Sequence, residues 1–262
     1  MDFLRAEKRF KEYVANFKVA DEKVNIKIVH TFGVIMISEY IAKDLNLSEE
    51  DLEIAKLIAL LHDIGRFEQA VKFNNFNDYE TMDHAEYGVK VLFDGGLIRD
   101  FINTDKYDEI IKKAIYNHNK FNIEEGLSDR ELLHSKIIRD ADKTDNFMIK
   151  PVQDLGSLLG TNEAEVEKSQ ITDLVWEEFL NKNIITSSHR KTSLDKWFST
   201  IAWIYDYNFA VALKYLEDNN CIDKIIDRFD YKDKDTKEKM EYARRVAKDY
   251  IKERISDLSE DV

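Results

Sequence analysis

The stretch Leu61-His62-Asp63-Ile64-Gly65-Arg66 places an imidazole beside a carboxylate at the end of an apolar run, residues 57–61. Helical spacing carries His62 to the face of the apolar residues before it, so the pair is expected at a buried helix end. A buried carboxylate without a compensating charge carries a large desolvation cost. The His-Asp pair therefore predicts the centre of a metal site.

Other residues of ligand type lie on the inward faces or at the ends of separate predicted helices. Any one buried histidine is more often a hydrogen-bonded core residue than a ligand. Together, however, four histidines and two aspartates are enough for two divalent ions that share one bridging carboxylate. The predicted metal ligands are His30, His62, Asp63, His84, His118 and Asp142.

The helix that carries the His-Asp pair has a clear predicted start. Ser48-Glu49-Glu50-Asp51 is typical of an N-cap followed by acidic residues in the first turn. Gly65 is expected to release the helix end into a left-handed turn. Residues 67–83 are polar and aromatic, and they predict a short helix followed by a loop that could cover a pocket.

A second capping signal precedes the last predicted ligand. Ser128-Asp129-Arg130-Glu131 has the capping-box pattern and opens a predicted helix that runs to about Asp145. On this helix Asp142 follows the apolar Ile138 by one turn and is expected to point inward. Asp140 is expected to be solvated.

Apolar residues at helical spacing predict the remaining helices of the first half. On the predicted helix 24–44, His30 is expected to point inward and Lys27 to lie on another face. The predicted helices are 3–18, 24–44, one that starts at Thr81 or Asp83 and runs to about Phe93, and one that starts near Tyr107 and ends at His118.

The chain changes in character after Pro151, the only proline. A loop-like stretch is followed by helices rich in aromatic residues over about 171–216, and the charged residues 232–262 predict an exposed amphipathic helix. The predicted fold is all-α, with a metal-binding core at 1–150 and a C-terminal helical region at 151–262. This region is expected to pack on the core as part of the same structural unit.

The composition limits the function classes. The net charge of −13 argues against long nucleic acids as partners, whereas a small anion held by local cations is compatible with it. The one cysteine, Cys221, allows no intrachain disulfide and no thiolate zinc cluster. The N-terminus does not resemble a targeting segment, and no window approaches the ~20 apolar residues that span a bilayer. We expect a cytoplasmic protein without a membrane partner, and homo-oligomerisation stays open.

The order His30, His62-Asp63, His84, His118, Asp142 resembles the HD superfamily of metal-dependent phosphohydrolases, over about residues 24–150. Leu61-His62-Asp63-Ile64-Gly65-Arg66 is similar to the family's His-Asp-Ile-Gly-Lys form, with Arg66 at the lysine position. Ala141-Asp142-Lys143 is similar to its downstream Asp-Lys pair. The resemblance implies a helical bundle of the HD type.

The resemblance also implies roles for the candidate residues. One ion would be held by His30, His62, Asp63 and Asp142, and Asp63 would bridge to a second ion completed by His84 and His118. Asp63, Arg66 and Lys143 would be the catalytic residues. The positively charged side chains of Arg66 and Lys143 would neutralise phosphate oxygens. The implied cofactors are divalent ions, two in number, of manganese, iron, magnesium, nickel or zinc.

Three functions are compatible with this ligand set. The first is a phosphohydrolase that acts on a small phosphomonoester or nucleotide through a metal-activated hydroxide. The second is a di-iron oxygenase of the same superfamily, which would cleave a small polyol or phosphonate. The third is a non-catalytic metal-binding scaffold, which we rank last because no ligand of the pattern is missing.

A few further residues are weaker candidates. His134 could support Asp142, but a surface position is the stronger expectation. His189 is expected in a loop, with substrate contact as the minor alternative. Asp145 and Asn146 are candidates for capping the Asp142 helix or for supporting a ligand. Glu68 could be a general base or a solvated residue.

Overall fold

The computed structural model of the protein describes residues 2–17 and 22–257, and within these ranges the regular structure is helical, without a β-strand. The chain divides into two compact units, Met1–Asp145 and Asn146–Val262. The predicted all-α fold class is confirmed. The packing of the C-terminal region on the core stays a prediction.

The first unit carries all six predicted ligands. Its first helix ends before residue 18, the predicted end, which lies outside the described residues. The helices are α1 (Phe3–Val14), α2 (Glu22–Asp44), α3 (Glu49–Leu61), α4 (Ile64–Phe73), α5 (His84–Val89, continued by a π-helical turn at Lys90–Asp94), α6 (Ile98–Phe101), α7 (Asp108–Asn117) and α8 (Asp129–Ile149), which runs on into the second unit.

Side-chain caps define the starts of three ligand-bearing helices, α3, α5 and α8, as the sequence predicts. The hydroxyl of Ser48 accepts a backbone N–H at the start of α3, and the carboxylate of Asp83 accepts two at the start of α5. Ser128 and Glu131 form a capping box before α8, with the backbone N–H of Ser128 donating to the Glu131 carboxylate over 2.7 Å. These caps satisfy backbone donors that the helices leave without a partner.

Helix packing brings the ligand-bearing segments together. Helix α2 packs along α3, and α3 also contacts α1 and α7. Helix α4 contacts α2 and α5, and α5 contacts α7. The side chains of α8 reach the same bundle, because Arg130 pairs with Glu50 and Asp51 at the start of α3. The ends of α3 and α7 and the start of α5 therefore meet near the middle of α2.

Gly65 does not end a helix, so that prediction is wrong. It lies in the first turn of α4, where the backbone is helical, and it is absent from the described glycines with positive φ. A Cβ atom at Gly65 would lie 2.3 Å from the carbonyl oxygen of His84. The glycine is used for close approach of α4 to the start of α5.

Two expectations about α8 are also wrong. Asp140, expected in solvent, is fully buried, and its neighbours Ile138 and Ala141 are buried as well. His134, expected at the surface, is 1% exposed, and its Nε2 lies 3.0 Å from Oδ1 of Asp51. Helix α8 is buried on more than one face, so apolar periodicity does not separate its inner from its outer positions.

Helix α2 requires one correction of the sequence analysis. By length and composition it could span a membrane, with a mean hydropathy of 1.2 in its most apolar window. However, 56% of that window is buried inside the protein. The high hydropathy is that of a core helix, which carries the buried His30.

In the second unit, helices occupy most of the predicted 171–216 region, with non-helical segments at 181–186, 190–192 and 207–209. Its last helix has one buried face that includes Met240, Ala247 and Ile251; residues 258–262 lie outside the described residues. The helices are α9 (Leu155–Leu159), α10 (Glu163–Lys168), α11 (Asp173–Leu180), α12 (Ser193–Ala202), α13 (Ala210–Asp218), α14 (Cys221–Ile226) and α15 (Lys234–Ser256), with 3-10 turns at Ser187–His189 and Trp203–Asp206.

Candidate metal centre

Four donor groups from α2, the junction of α3 with α4, and α8 form what we call the His30 subsite, which consists of His30, His62, Asp63 and Asp142. One donor atom from each of His30, His62 and Asp63 lies within 4.8 Å of the others. Nε2 of His30 lies 2.9 Å from Oδ1 of Asp142, and Nε2 of His62 lies 4.0 Å from the same oxygen. Both imidazoles are fully buried.

The outer nitrogens of these two imidazoles are held by acceptors. Nδ1 of His30 lies 2.6 Å from Oδ2 of Asp145, and Nδ1 of His62 lies 2.8 Å from the carbonyl oxygen of Ala59. A carbonyl can only accept, so Nδ1 of His62 carries the proton and its Nε2 holds the lone pair. Both Nε2 atoms are buried; that of His30 faces Asp142, and that of His62 makes no hydrogen bond within the described part of the chain.

The two imidazoles have opposite pKa shifts. Burial lowers the pKa of His62 to about 3, so this ring is neutral near pH 7. Burial and Lys27 also disfavour the charged form of His30, but the carboxylates of Asp142 and Asp145 outweigh them and raise its pKa to about 9. Without a metal, His30 is therefore protonated near neutral pH.

A second group of donors, the His84 subsite, consists of Asp63, His84 and His118, with one donor atom from each within 4.8 Å of the others. Nε2 of His84 lies 3.3 Å from Oδ1 of Asp63, and Nε2 of His118 lies 3.8 Å from it. The outer Nδ1 atoms are again held, by Oδ2 of Asp78 for His84 and by the carbonyl oxygen of Ile115 for His118, both at 2.6 Å.

Asp63 belongs to both subsites and is 3% exposed. Its Oδ2 accepts a hydrogen bond of 2.7 Å from Nζ of Lys27. Burial raises the pKa of the Asp63 carboxyl, but Lys27 and the surrounding imidazoles outweigh burial and hold the pKa well below its usual range. The shared carboxylate is therefore ionised.

The donor set fits divalent cations. Nδ1 of His84 and of His118 each face an acceptor, which leaves Nε2 of each ring as the ligand atom, and these two nitrogens lie 2.9 Å apart, at hydrogen-bond distance. Two lone pairs at this distance repel each other unless a proton or cation lies between them. Imidazoles whose second nitrogen donates to a carboxylate or a carbonyl are the usual form of histidine ligands. Imidazole and carboxylate donors suit zinc, manganese, iron and nickel.

Arg66 lies beside the shared carboxylate rather than in solvent. Its Nη1 donates to Oδ1 of Asp78 over 2.7 Å and to the carbonyl oxygen of Phe76 over 2.8 Å. Its Nε is buried, lies 3.6 Å from Oδ1 of Asp63 and has no hydrogen-bond partner among the described residues. The guanidinium is thus anchored at one end and presents a donor to the centre at the other.

The structure brings the six predicted ligands and Arg66 together, and Lys143 lies next to Asp142 on α8. Their roles as ligands and catalytic residues stay predictions. Among the weaker candidates, Asp145 contacts the predicted ligand His30, which corresponds to the second of its two predicted roles, the support of a ligand. Glu68 accepts a hydrogen bond from Tyr87 and pairs with Lys72 instead of facing the centre.

Sequence reasoning missed two residues of the site. Lys27 was expected on another face of α2, but it lies one turn before His30, and its long side chain reaches Asp63. The spacing of one helical turn between Lys27 and His30 was the signal in the sequence that Lys27 could reach the site. Asp78 lies in the loop between α4 and α5, where no periodic pattern marks inward positions.

Residues 28–146 match the family model described as the HD domain. The match includes all six predicted ligands together with Arg66, Asp78, Lys143 and Asp145, whereas Lys27 lies one residue before it. The comparisons with curated proteins and with solved structures found no significant match.

Proposed function

We propose that the protein hydrolyses a small phosphomonoester or nucleotide, because residues 28–146 match the HD domain, which belongs to a superfamily of metal-dependent phosphohydrolases. The observation that carries the proposal is the pair of donor sets that share the ionised Asp63. Divalent ions bound there supply an activated water and neutralise phosphoryl charge. The shared carboxylate is what allows two ions to act on one substrate group.

The ligand roles follow the two subsites. His30, His62, Asp63 and Asp142 would hold one ion, and Asp63, His84 and His118 would hold the other. The inward lone pairs of the histidines support this assignment, because their Nδ1 protons are already donated to acceptors behind them. The proposal requires no change of tautomer at His62, His84 or His118.

Cations at the edge of the centre support an anionic substrate. The buried Nε of Arg66 is directed to the centre without a partner among the described residues, so it can donate to a phosphate oxygen. Nζ of Lys27 donates to the other oxygen of Asp63, Oδ2. The centre of the Phe76 ring lies 5.5 Å from Nζ of Lys27 and 5.6 Å from the guanidinium carbon of Arg66. We assign Lys143 the same role of phosphate neutralisation from its place beside Asp142.

The proposed partner is small. A net charge of −13 disfavours a long polyanion, whereas two ions and two or three cations in one centre offset the charge of a single phosphate group. We propose no nucleic-acid or membrane partner and a cytoplasmic location.

The test combines metal analysis with an assay of phosphate release. Protein purified without chelator is analysed for bound metals, then loaded with Mn²⁺ and assayed against a panel of phosphomonoesters and nucleotides. We expect bound divalent ions, chelator-sensitive phosphate release, and a raised KM for Arg66→Gln with metal content unchanged. Asp94→Asn, an exposed change outside the loop between α4 and α5, serves as the control and should behave as wild type.

Two outcomes would overturn the proposal. One is protein that binds no divalent ion after loading. The other is protein that holds iron, consumes oxygen with a small polyol or phosphonate, and releases no phosphate from the panel. The second result would assign the centre to oxygenase chemistry.

A further inference from the structure

We propose that Asp78 is a positioning residue that makes the affinity of the His84 subsite for its ion depend on the loop 74–83. This inference rests on the proposed metal centre and concerns how its two subsites differ. Asp78 is none of the predicted ligands, and it lies outside regular secondary structure, between α4 and α5.

Both oxygens of Asp78 are engaged. Oδ2 faces Nδ1 of His84 at 2.6 Å and accepts from Nδ2 of Asn119 over 3.2 Å. Oδ1 accepts from Nη1 of Arg66 over 2.7 Å and from Nε2 of Gln69 over 2.9 Å. One loop carboxylate thus holds a predicted metal ligand through one oxygen and a cation of the site through the other.

The contact with His84 determines how that ring presents itself. An ionised carboxylate only accepts, so Nδ1 of His84 carries a proton, and Nε2, which lies 3.3 Å from Oδ1 of the shared Asp63, is the nitrogen left to bind an ion. Burial raises the pKa of Asp78, but its contacts with His84 and Arg66 outweigh burial and hold the pKa below its usual range. Partners of this kind orient the ring and raise the basicity of the ligand nitrogen.

The loop is attached to α4 mainly through Gln69. The fully buried amide of Gln69 donates to Asp78, to the hydroxyl of Thr81 over 2.7 Å and to the carbonyl oxygen of Met82 over 3.0 Å. The loop that carries Asp78 therefore depends on side-chain hydrogen bonds to hold its position. Displacement of the loop would remove the partner of His84 and release Arg66 at the same time.

The His30 subsite has the equivalent contact on a helix. Asp145, which faces Nδ1 of His30 at the same 2.6 Å, lies on the 21-residue α8 that also carries Asp142. It packs against Gly33 of α2 so closely that a Cβ atom there would lie 1.8 Å from its Oδ1. Because a helix position is held by backbone hydrogen bonds on both sides, we infer that the His30 subsite binds the tighter ion and the His84 subsite the weaker one.

The experiment is a titration of the metal-free protein with Mn²⁺, measured by calorimetry. The metal content of the protein is determined at saturation. Wild type is expected to bind two ions with unequal affinities. Asp78→Asn should weaken the second ion by roughly 10- to 100-fold, as loss of a ligand's hydrogen-bond partner does, and leave the first unchanged. Asp145→Asn is the matched control, since it changes the equivalent partner in the other subsite and should weaken the first ion.

A second variant tests the loop and guards against failure of the first to fold. Gln69→Leu keeps Asp78 and every predicted ligand but removes three anchors of the loop. We expect it to weaken the second ion only, by less than Asp78→Asn.

The outcomes separate this inference from the proposed function. If the protein binds two ions but Asp78→Asn and Gln69→Leu leave both affinities unchanged, the role of Asp78 alone is overturned. The same holds if these variants lower the affinities for the two ions equally. Wild-type protein that binds no divalent ion would overturn the proposed function and this inference together.

Discussion

The two subsites share Asp63 and each add two imidazoles, but the side chains that support those imidazoles differ. In each, one imidazole is held by a carboxylate at 2.6 Å, Asp145 behind His30 and Asp78 behind His84. Asp145 lies in the middle of the bundle on α8, whereas Asp78 lies on a loop. The comparison teaches that ligand chemistry is set by residue type, while the stiffness of a site is set by the element that carries the residues behind the ligands.

The second imidazole of each subsite is supported in one common way. His62 and His118 both follow the last turn of a helix, and each Nδ1 faces the carbonyl oxygen three residues earlier, at 2.8 Å from Ala59 and 2.6 Å from Ile115. Carbonyls in the last turn of a helix lack an intrahelical partner, so a histidine there satisfies one of them. The subsites therefore differ in their carboxylate-supported imidazole and in Asp142, which belongs to the His30 subsite alone.

The largest expected effect removes what the subsites share. Asp63→Ala should weaken both ions and reduce phosphate release by more than the roughly 10- to 100-fold expected for the loss of a partner behind a ligand. It also leaves Lys27 without its carboxylate. Metal content and initial rates measure the effect, and Asp94→Ala, an exposed change, is the control. Loss of one ion with full retention of the other would show that Asp63 is not shared.

The next prediction concerns pH and applies to the His30 subsite. Because the pKa of His30 is raised to about 9 in the metal-free protein, the ring is protonated below that pH, and a proton must leave before the nitrogen can bind an ion. The affinity for the tighter ion should rise about tenfold per pH unit from about pH 7 and level off near pH 9.

Titrations with Mn²⁺ at several pH values measure this slope. His62 adds nothing to it in this range, because its pKa is lowered to about 3 and the ring is already neutral. Asp145→Asn removes a carboxylate that stabilises the charged form of His30 and should flatten the profile. An affinity that does not change between about pH 7 and 9 would contradict the protonated state assigned to His30.

Substitutions of Gly65 and Gly33 test the packing around the His84 subsite and the His30 subsite, respectively. Gly65→Ala places a methyl group 2.3 Å from a backbone oxygen of His84, so α4 and α5 must move apart, and we expect a loss of stability of about 1–3 kcal/mol. Gly33→Ala meets the Asp145 carboxylate instead, which can rotate away but then leaves His30. It should cost less stability and weaken the tighter ion.

Chemical denaturation measures the stability of both variants. Gly88→Ala is the matched control, because its nearest contact is an ordinary 3.4 Å to Ile64 and alanine favours the helix. Equal stability of Gly65→Ala and Gly88→Ala would show that the approach of α4 to α5 tolerates a side chain.

The smallest effect tests the support of α8. Ser128→Ala removes the N-cap that accepts the backbone N–H of Glu131 and should lower the free energy of unfolding by about 1 kcal/mol. The affinities for both ions should stay the same, since Asp142 and Asp145 lie several turns away. A selective change at the His30 subsite would show that fraying of α8 reaches its ligands.

Much of the fold and the ligand set could be predicted from local pattern. Ser48, Asp83 and Ser128 cap their helices because a short polar side chain satisfies a backbone donor wherever it precedes an apolar periodic run. His62 and His118 were expected inward because they continue the apolar stripes of α3 and α7, and both are buried. These are properties of neighbours in the chain.

Other features depend on residues distant in the chain. Gly65 was expected to make a turn, but the reason for a glycine there is the carbonyl of His84 on a different helix. Asp140 and His134 were expected outside, but α8 is buried on more than one face. No local pattern states how many neighbours a helix has.

The sequence by itself determined the helical class, the HD pattern and the identity of the six predicted ligands, because these depend on residue types at helical spacing. Only the tertiary structure decided that Lys27 lies on Asp63, that Asp78 joins His84 to Arg66, and which subsite is supported by a helix. Long side chains and loop carboxylates find their partners through space, and that choice is made by packing.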